Sequence, residues 1–231
     1  MAVHNRTKKI YIISLFLLII FLTVSLCTGR YPMTIQEIGH ILSGRGTDET
    51  AKSVFFTLRL PRTVMAFIAG AGLSMAGSIY QDIFRNPLAA PDLIGVTSGA
   101  GAGAAFAIVY FGQNAGAAVG SAFAGGLIAV GAAVALAGMS RQKAVSDFVL
   151  AGIVSVTGAI SFVGLVAPHI ARMILKENGF SAGILSGITG SIIILAADCL
   201  ARSAGGSEIP ISILTSLLGV PMMIWLLMRQ E

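Results

Sequence analysis

Apolar residues along this chain come in long runs rather than on alternating positions or on one helical stripe. Ile10 to Leu26 forms the first run, behind the basic Arg6-Thr7-Lys8-Lys9, and further runs follow with Gly, Pro or charge between them. Their lengths approach the ~20 residues that a helix needs to cross ~30 Å of hydrocarbon. The pattern predicts helices at about 10–28, 62–84, 93–111, 117–139, 147–158, 162–175, 182–202 and 211–228. Residues from Gly29 to Phe56 read as a polar, Gly-punctuated external connection with a short amphipathic piece at Ile35 to Leu42. Pro87 and Pro91 interrupt the chain after the second run, since each removes a backbone donor.

The stretch from Phe148 to Leu175 reads in two ways. Hydropathy alone merges it into one crossing, which places Arg202 in the cytoplasm and the C-terminus outside. Pro168 favours a break instead, giving eight transmembrane or partly spanning segments with both termini cytoplasmic.

Composition settles the medium. With 55% hydrophobic and 11% charged residues, the chain has too few polar side chains to cover a water-soluble globule of this size. The runs lack the dyad alternation of barrel strands and are rich in the small residues that let helices approach in lipid, so the fold class is an all-α polytopic membrane bundle. A net charge of +5 suggests nucleic acid in a soluble protein, but here the basic residues flank apolar runs and follow membrane orientation, so no nucleic-acid partner is expected. The N-terminal run resembles a signal peptide, yet it is long for one and lacks a small-x-small site; it is read as the first span, entering from the cytoplasm. Cys27 and Cys199 lie in or beside apolar runs without metal-ligand spacing and read as packing residues.

Two blocks carry a family resemblance. Leu58-Arg59-Leu60-Pro61-Arg62-Thr63 runs into an apolar helix that closes at Gln81-Asp82-Ile83-Phe84-Arg85-Asn86-Pro87-Leu88-Ala89, and Gly158-Ala159-Ile160-Ser161-Phe162-Val163-Gly164-Leu165-Val166-Ala167-Pro168-His169-Ile170-Ala171-Arg172 follows later. Both resemble the FecCD/BtuC-like permeases of ABC importers for iron-siderophore complexes, haem or cobalamin. The resemblance implies a single permease domain over 1–231 of the type II importer kind, in a bacterial or archaeal cytoplasmic membrane. It also implies three protein partners: a separate ABC ATPase, an extracytoplasmic substrate-binding protein and a second permease copy or paralogue.

After Asp147 the sequence departs from that pattern. Phe148-Val149-Leu150-Ala151-Gly152-Ile153 resembles the start of the family's fifth helix, whereas Ser155-Val156-Thr157-Gly158-Ala159-Ile160 resembles the end of its seventh. Relatives are longer by roughly 100 residues, enough for about two crossings and a cytoplasmic segment. The missing part includes the loop that docks onto the ATPase, so a truncated homologue unable to transport is the second expectation.

Arg59, Arg62 and Arg202 fall at the outer face, against the bias that keeps cations inside. The resemblance implies that they meet acidic residues of the docked binding protein; snorkelling by Arg59 and Arg62 and an i,i+4 pair between Asp198 and Arg202 are the structural alternatives. Gln81, Asn86 and Asp92 stand where broken helix ends could line a translocation path or satisfy their own backbone. His169 is more simply a hydrogen-bonded structural residue than a metal ligand, because no second ligand stands at useful spacing. Gly99 to Gly103 lies in an apolar run with no strand before it, and no Walker A sequence occurs, so ATP hydrolysis belongs to another subunit. No cofactor and no metal are expected. Neither a nucleophile-base arrangement nor a filter sequence supports an intramembrane enzyme or a channel.

Overall fold

The computed structural model describes residues 2–45, 48–86, 89, 95–112, 114–139, 162–203, 211, 213–215, 217 and 221, and among these residues it is helical with no strand. Two compact units emerge, one of residues 1–88 with 162–231 and one of residues 89–161.

In the first unit, α1 (Ala2–Cys27) presents Ile12, Phe16 and Ile19 outward, as a lipid-facing helix should. The polar connection after α1 is more ordered than its composition suggests. Thr34 opens α2 (Ile35–Leu42) with a capping box: its hydroxyl accepts the Glu37 N–H at 3.2 Å, and Glu37 Oε2 accepts the Thr34 N–H at 2.7 Å. Asp48 caps α3 (Glu49–Val54) by accepting the N–H groups of Thr50 and Ala51. Ile38, Ile41, Ala51, Phe55 and Met33 then bury one another in a small core beside the end of α1.

The helix that holds the second predicted span, 62–84, begins well before it. A π-helical turn at Phe55–Arg59 joins α3 to α4 (Leu60–Phe84), so that helix continues for 36 residues from Glu49 to Phe84. Pro61 does not break it, because it follows directly on the wider π turn, where the i→i−4 ladder of the α-helix is already interrupted. At ~1.5 Å per residue the rod is far longer than the ~30 Å hydrocarbon layer, so its first turns stand outside lipid.

Pro168 lies within α7 (Val163–Leu175) and leaves the Gly164 carbonyl without its helical donor. That carbonyl faces α4 at Gly77, where any Cβ would collide with it. The helix α8 (Phe180–Ser203) packs against α1, α4 and α7 and is the most buried of the long helices. Hydroxyls supply the polar contacts on which lipid-embedded helices rely. Ser186 donates to the Ser74 carbonyl and Ser191 to the Phe67 carbonyl, both at 2.9 Å, and the Tyr11 hydroxyl donates to Ser181 O at 2.6 Å.

In the second unit, α5 (Val96–Phe111) packs on α6 (Ala115–Met139) through Gly99 and Gly103 against Gly125 and Ser121, where backbones meet without side chains between them. Asn114 Oδ1 caps α6 by accepting the N–H groups of Gly116 and Ala117. The predicted helix 147–158 lies outside the described residues, and of 211–228 only 211, 213–215, 217 and 221 are described, all helical.

Candidate functional site

Two polar clusters cap the apolar length of α4. One gathers around Arg62 and the other around Gln81, 19 positions later, which at ~1.5 Å per residue is close to the ~30 Å thickness of hydrocarbon.

At the first end Asp198 is fully buried, with 0% of its side chain exposed, and it is held by two guanidinium groups. Arg62 Nε donates to Oδ1 at 2.8 Å, and Arg202 lies 2.6 Å from Oδ2 in the i,i+4 pair expected from spacing. Arg202 also donates to the Thr28 carbonyl and the Ser25 hydroxyl, each at 2.8 Å, while Ser25 and Thr63 share a hydrogen bond at 2.9 Å. This cluster binds α1, α4 and α8 together at one level. A buried carboxylate between two cations, one of them donating a hydrogen bond to it, avoids the desolvation cost that an unpaired one would carry.

Arg59 does not stand on the surface as a docking residue would. It is 4% exposed and donates to the carbonyls of Leu26 at 2.5 Å, Cys27 at 2.9 Å and Tyr31. Those carbonyls end α1 and begin the external connection, so the guanidinium fork satisfies acceptors that the helix terminus leaves open. Arg62 keeps 36% of its side chain exposed, whereas Arg202 keeps 7%.

At the other end the organiser is Arg172, the last residue of the second family block. Its guanidinium donates to Gln81 Oε1 at 2.8 Å, to the Ser78 carbonyl at 3.0 Å and to Asp82 Oδ1 at 3.1 Å. Gln81, expected along a path, is buried and ties the two helices: its amide nitrogen donates to Leu165 O at 3.2 Å. Asn86 follows the left-handed Arg85 that ends α4 and lines a cleft of about 400 Å³ with Gln81, Asp82, Arg85, Arg172 and Asn178. Asp92 lies outside the described residues.

His169 is half-buried on α7 beside Pro168. Among the described residues no three His, Cys, Asp or Glu side chains come together as metal ligands. Cys199 is buried and Cys27 half-buried, and both are free thiols.

The model of the FecCD transport family matches residues 17–155 and again 148–229. The chain is 27% identical to the molybdate import system permease MolB of Haemophilus influenzae over 307 aligned positions, covering 89% of this chain and 91% of the relative. It is 28% identical to the vitamin B12 import permease BtuC of Salmonella paratyphi A, covering 98% and 97%. The Fe(3+)-citrate import permease YfmE of Bacillus subtilis is 26% identical, covering 96% of each chain. A solved structure described as a metal-chelate type ABC transporter in an inward-facing conformation shares the fold with a TM-score of 0.74 and 23% identity, covering 96% of this chain and 99% of that one.

Proposed function

This chain belongs to the FecCD transport family and is a multi-pass membrane permease of the ABC-importer type, and we propose that it carries an iron-siderophore complex, with haem and cobalamin as alternatives of the same class. Relatives named for the import of vitamin B12 and of ferric citrate, both chelated metals, support this class of substrate. The most direct support is the pair of polar clusters at the two ends of α4, an outer one built on Asp198 and an inner one built on Arg172.

Tyr11 bonded to Ser181 puts the basic N-terminal segment at the same end as Lys176 and the Arg172 cluster. The positive-inside bias makes that end cytoplasmic and the Asp198 end external. A substrate-binding protein then docks at the outer end, where the half-exposed Arg62 is the charged contact and Arg202 and Arg59 hold the surface behind it. Asn86 lines the inner path, and Gln81 supports its wall. A second permease copy or paralogue completes the channel between subunits. A separate ATPase drives alternating access, because a ligand or nucleotide shifts a conformational equilibrium only through differential contact with its states. The whole of residues 1–231 is one permease domain in this scheme, in a bacterial or archaeal cytoplasmic membrane.

A second reading has its own observation. The two family matches overlap at 148–155, and each alignment to the import permeases is longer than the 231 residues of this chain, as expected where an internal stretch of the relatives has no counterpart here. If the lost stretch includes the ATPase contact, the chain assembles without coupling. Co-purification with a cognate ATPase and binding protein in nanodiscs tests this. A ternary complex with stimulated hydrolysis supports the importer, and binding-protein capture without ATPase supports the uncoupled homologue.

A further inference from the structure

Two of the three outer arginines are enclosed and one is not. Arg59 holds the Leu26 and Cys27 carbonyls, and Arg202 holds the Thr28 carbonyl and the Ser25 hydroxyl, so both guanidinium groups are tied to the end of α1. Arg62 differs. Its Nε, the nitrogen on the stem side of the guanidinium, donates to Asp198 Oδ1 at 2.8 Å, and Asp198 is wholly buried while Arg62 is partly exposed. One edge of a rigid planar fork is thus fixed to the interior of the protein while the side chain extends to the surface.

Fastening α4 to α8 does not account for this pair. Ser186 already donates to the Ser74 carbonyl and Ser191 to the Phe67 carbonyl, and the backbones of Gly70 and Gly190 meet between these bonds. Neutralising the buried carboxylate does not account for it either, because Arg202 on the same helix lies 2.6 Å from Oδ2. What Asp198 adds at Arg62 is restraint. A long side chain rich in rotamers is held in one orientation, and the shared carboxylate offsets the repulsion between Arg62 and Arg202.

Given the docking role of Arg62, on which this rests, we propose that Asp198 is a positioning residue for docking: through the Nε bond it presets the Arg62 guanidinium for a carboxylate of the substrate-binding protein. A preset fork loses less conformational freedom when the partner engages it, which slows dissociation. The negative charge of Asp198 itself opposes an acidic partner, which slows encounter. Removing that charge therefore raises both rates, whereas a mere loss of folded protein lowers the amount captured and quickens neither.

Surface plasmon resonance of the cognate substrate-binding protein on the full chain in nanodiscs, at low and high salt, tests this. Asp198→Asn is expected to raise association about two- to threefold at low salt. Dissociation should rise about three- to tenfold, the range that freeing one side chain represents. Arg62→Lys keeps the charge without the fork, so association should stay within about twofold of the unaltered chain while dissociation rises by a similar factor. In the Arg62→Lys background, Asp198→Asn should add nothing to dissociation. Thermal unfolding identifies the folded variants, and where Asp198→Asn does not fold, Arg62→Lys decides. Unchanged dissociation in either folded variant, while Arg62→Gln loses capture, overturns the positioning role and leaves docking standing. Undiminished capture by Arg62→Gln overturns both.

Discussion

Asp198 and Arg202 stand one turn apart on α8 with carboxylate and guanidinium 2.6 Å apart, and Arg62 from α4 closes on the other carboxylate oxygen at 2.8 Å. Removing the carboxylate leaves two cations at the outer end without their common partner. Asp198→Asn is therefore expected to lower stability by about 3–5 kcal/mol, the usual penalty for breaking a buried pair. Arg62→Gln should cost less, because its side chain is partly solvated. Thermal unfolding in detergent of the single and double variants measures both and their coupling.

Helix spacing gives a sharper contrast. A Cβ on Gly70 would fall 2.5 Å from Ser191 Cα and 2.6 Å from Gly190 O, whereas one on Gly72 meets nothing within 4 Å. Gly70→Val should force α4 from α8 and destabilise by at least about 1–3 kcal/mol. Gly72→Ala should be neutral or add up to ~1 kcal/mol through helix propensity. Comparing the two melting temperatures decides the matter, and equal effects would contradict the packing described.

Arg59 and Arg62 should separate in function although they sit three residues apart. Arg59→Gln loses charged hydrogen bonds to the end of α1, each worth about 1.5–3 kcal/mol, and should appear as lost stability. Arg62→Gln should weaken capture of the binding protein while the chain stays folded. Titration of binding protein onto each folded variant reads this difference. A fully stable Arg59 variant that fails to capture the binding protein would reverse the assignment.

Acid should loosen the external caps before the membrane bundle. Hydrogen bonds from the Thr34 backbone and hydroxyl hold the Glu37 carboxyl below its ordinary value, and those from Tyr31 and from the Ala51 and Thr50 backbone hold Asp48 below its own. Each group's contribution is complete above its unfolded pKa, near 4, and disappears as pH falls through the lower folded value. Protection factors of the α2 and α3 amides should therefore fall below about pH 4 while those of α8 are retained.

What could be read in advance follows the physics of range. The amphipathic Ile35 to Leu42 piece and the Asp198–Arg202 pair are local signals, carried by hydrophobic period and i,i+4 spacing, and both are present. Arg62 with Asp198 and Arg172 with Gln81 join residues 136 and 91 positions apart, and nothing in one chain's pattern pairs them. The helix from Glu49 to Arg59 was hidden because its polar composition resembles a loop, whereas its stability comes from Asp48 at the cap and Phe55 in the small external core. The predicted topology puts Arg59 at the outer face, where the resemblance implies docking. That it reaches back to the end of α1 depends on the tertiary approach of two helices.

The most direct test of the central claim is ATP-dependent accumulation of a radiolabelled ferric siderophore in proteoliposomes that contain this chain and its cognate ATPase, with loaded binding protein outside. A coupled importer predicts uptake that needs ATP and binding protein together and that falls when Arg62 is replaced by Gln. A complete complex that binds the loaded protein but accumulates no label would contradict a coupled iron-siderophore importer; if cobalamin and haem also failed, the permease would have lost coupling to its ATPase.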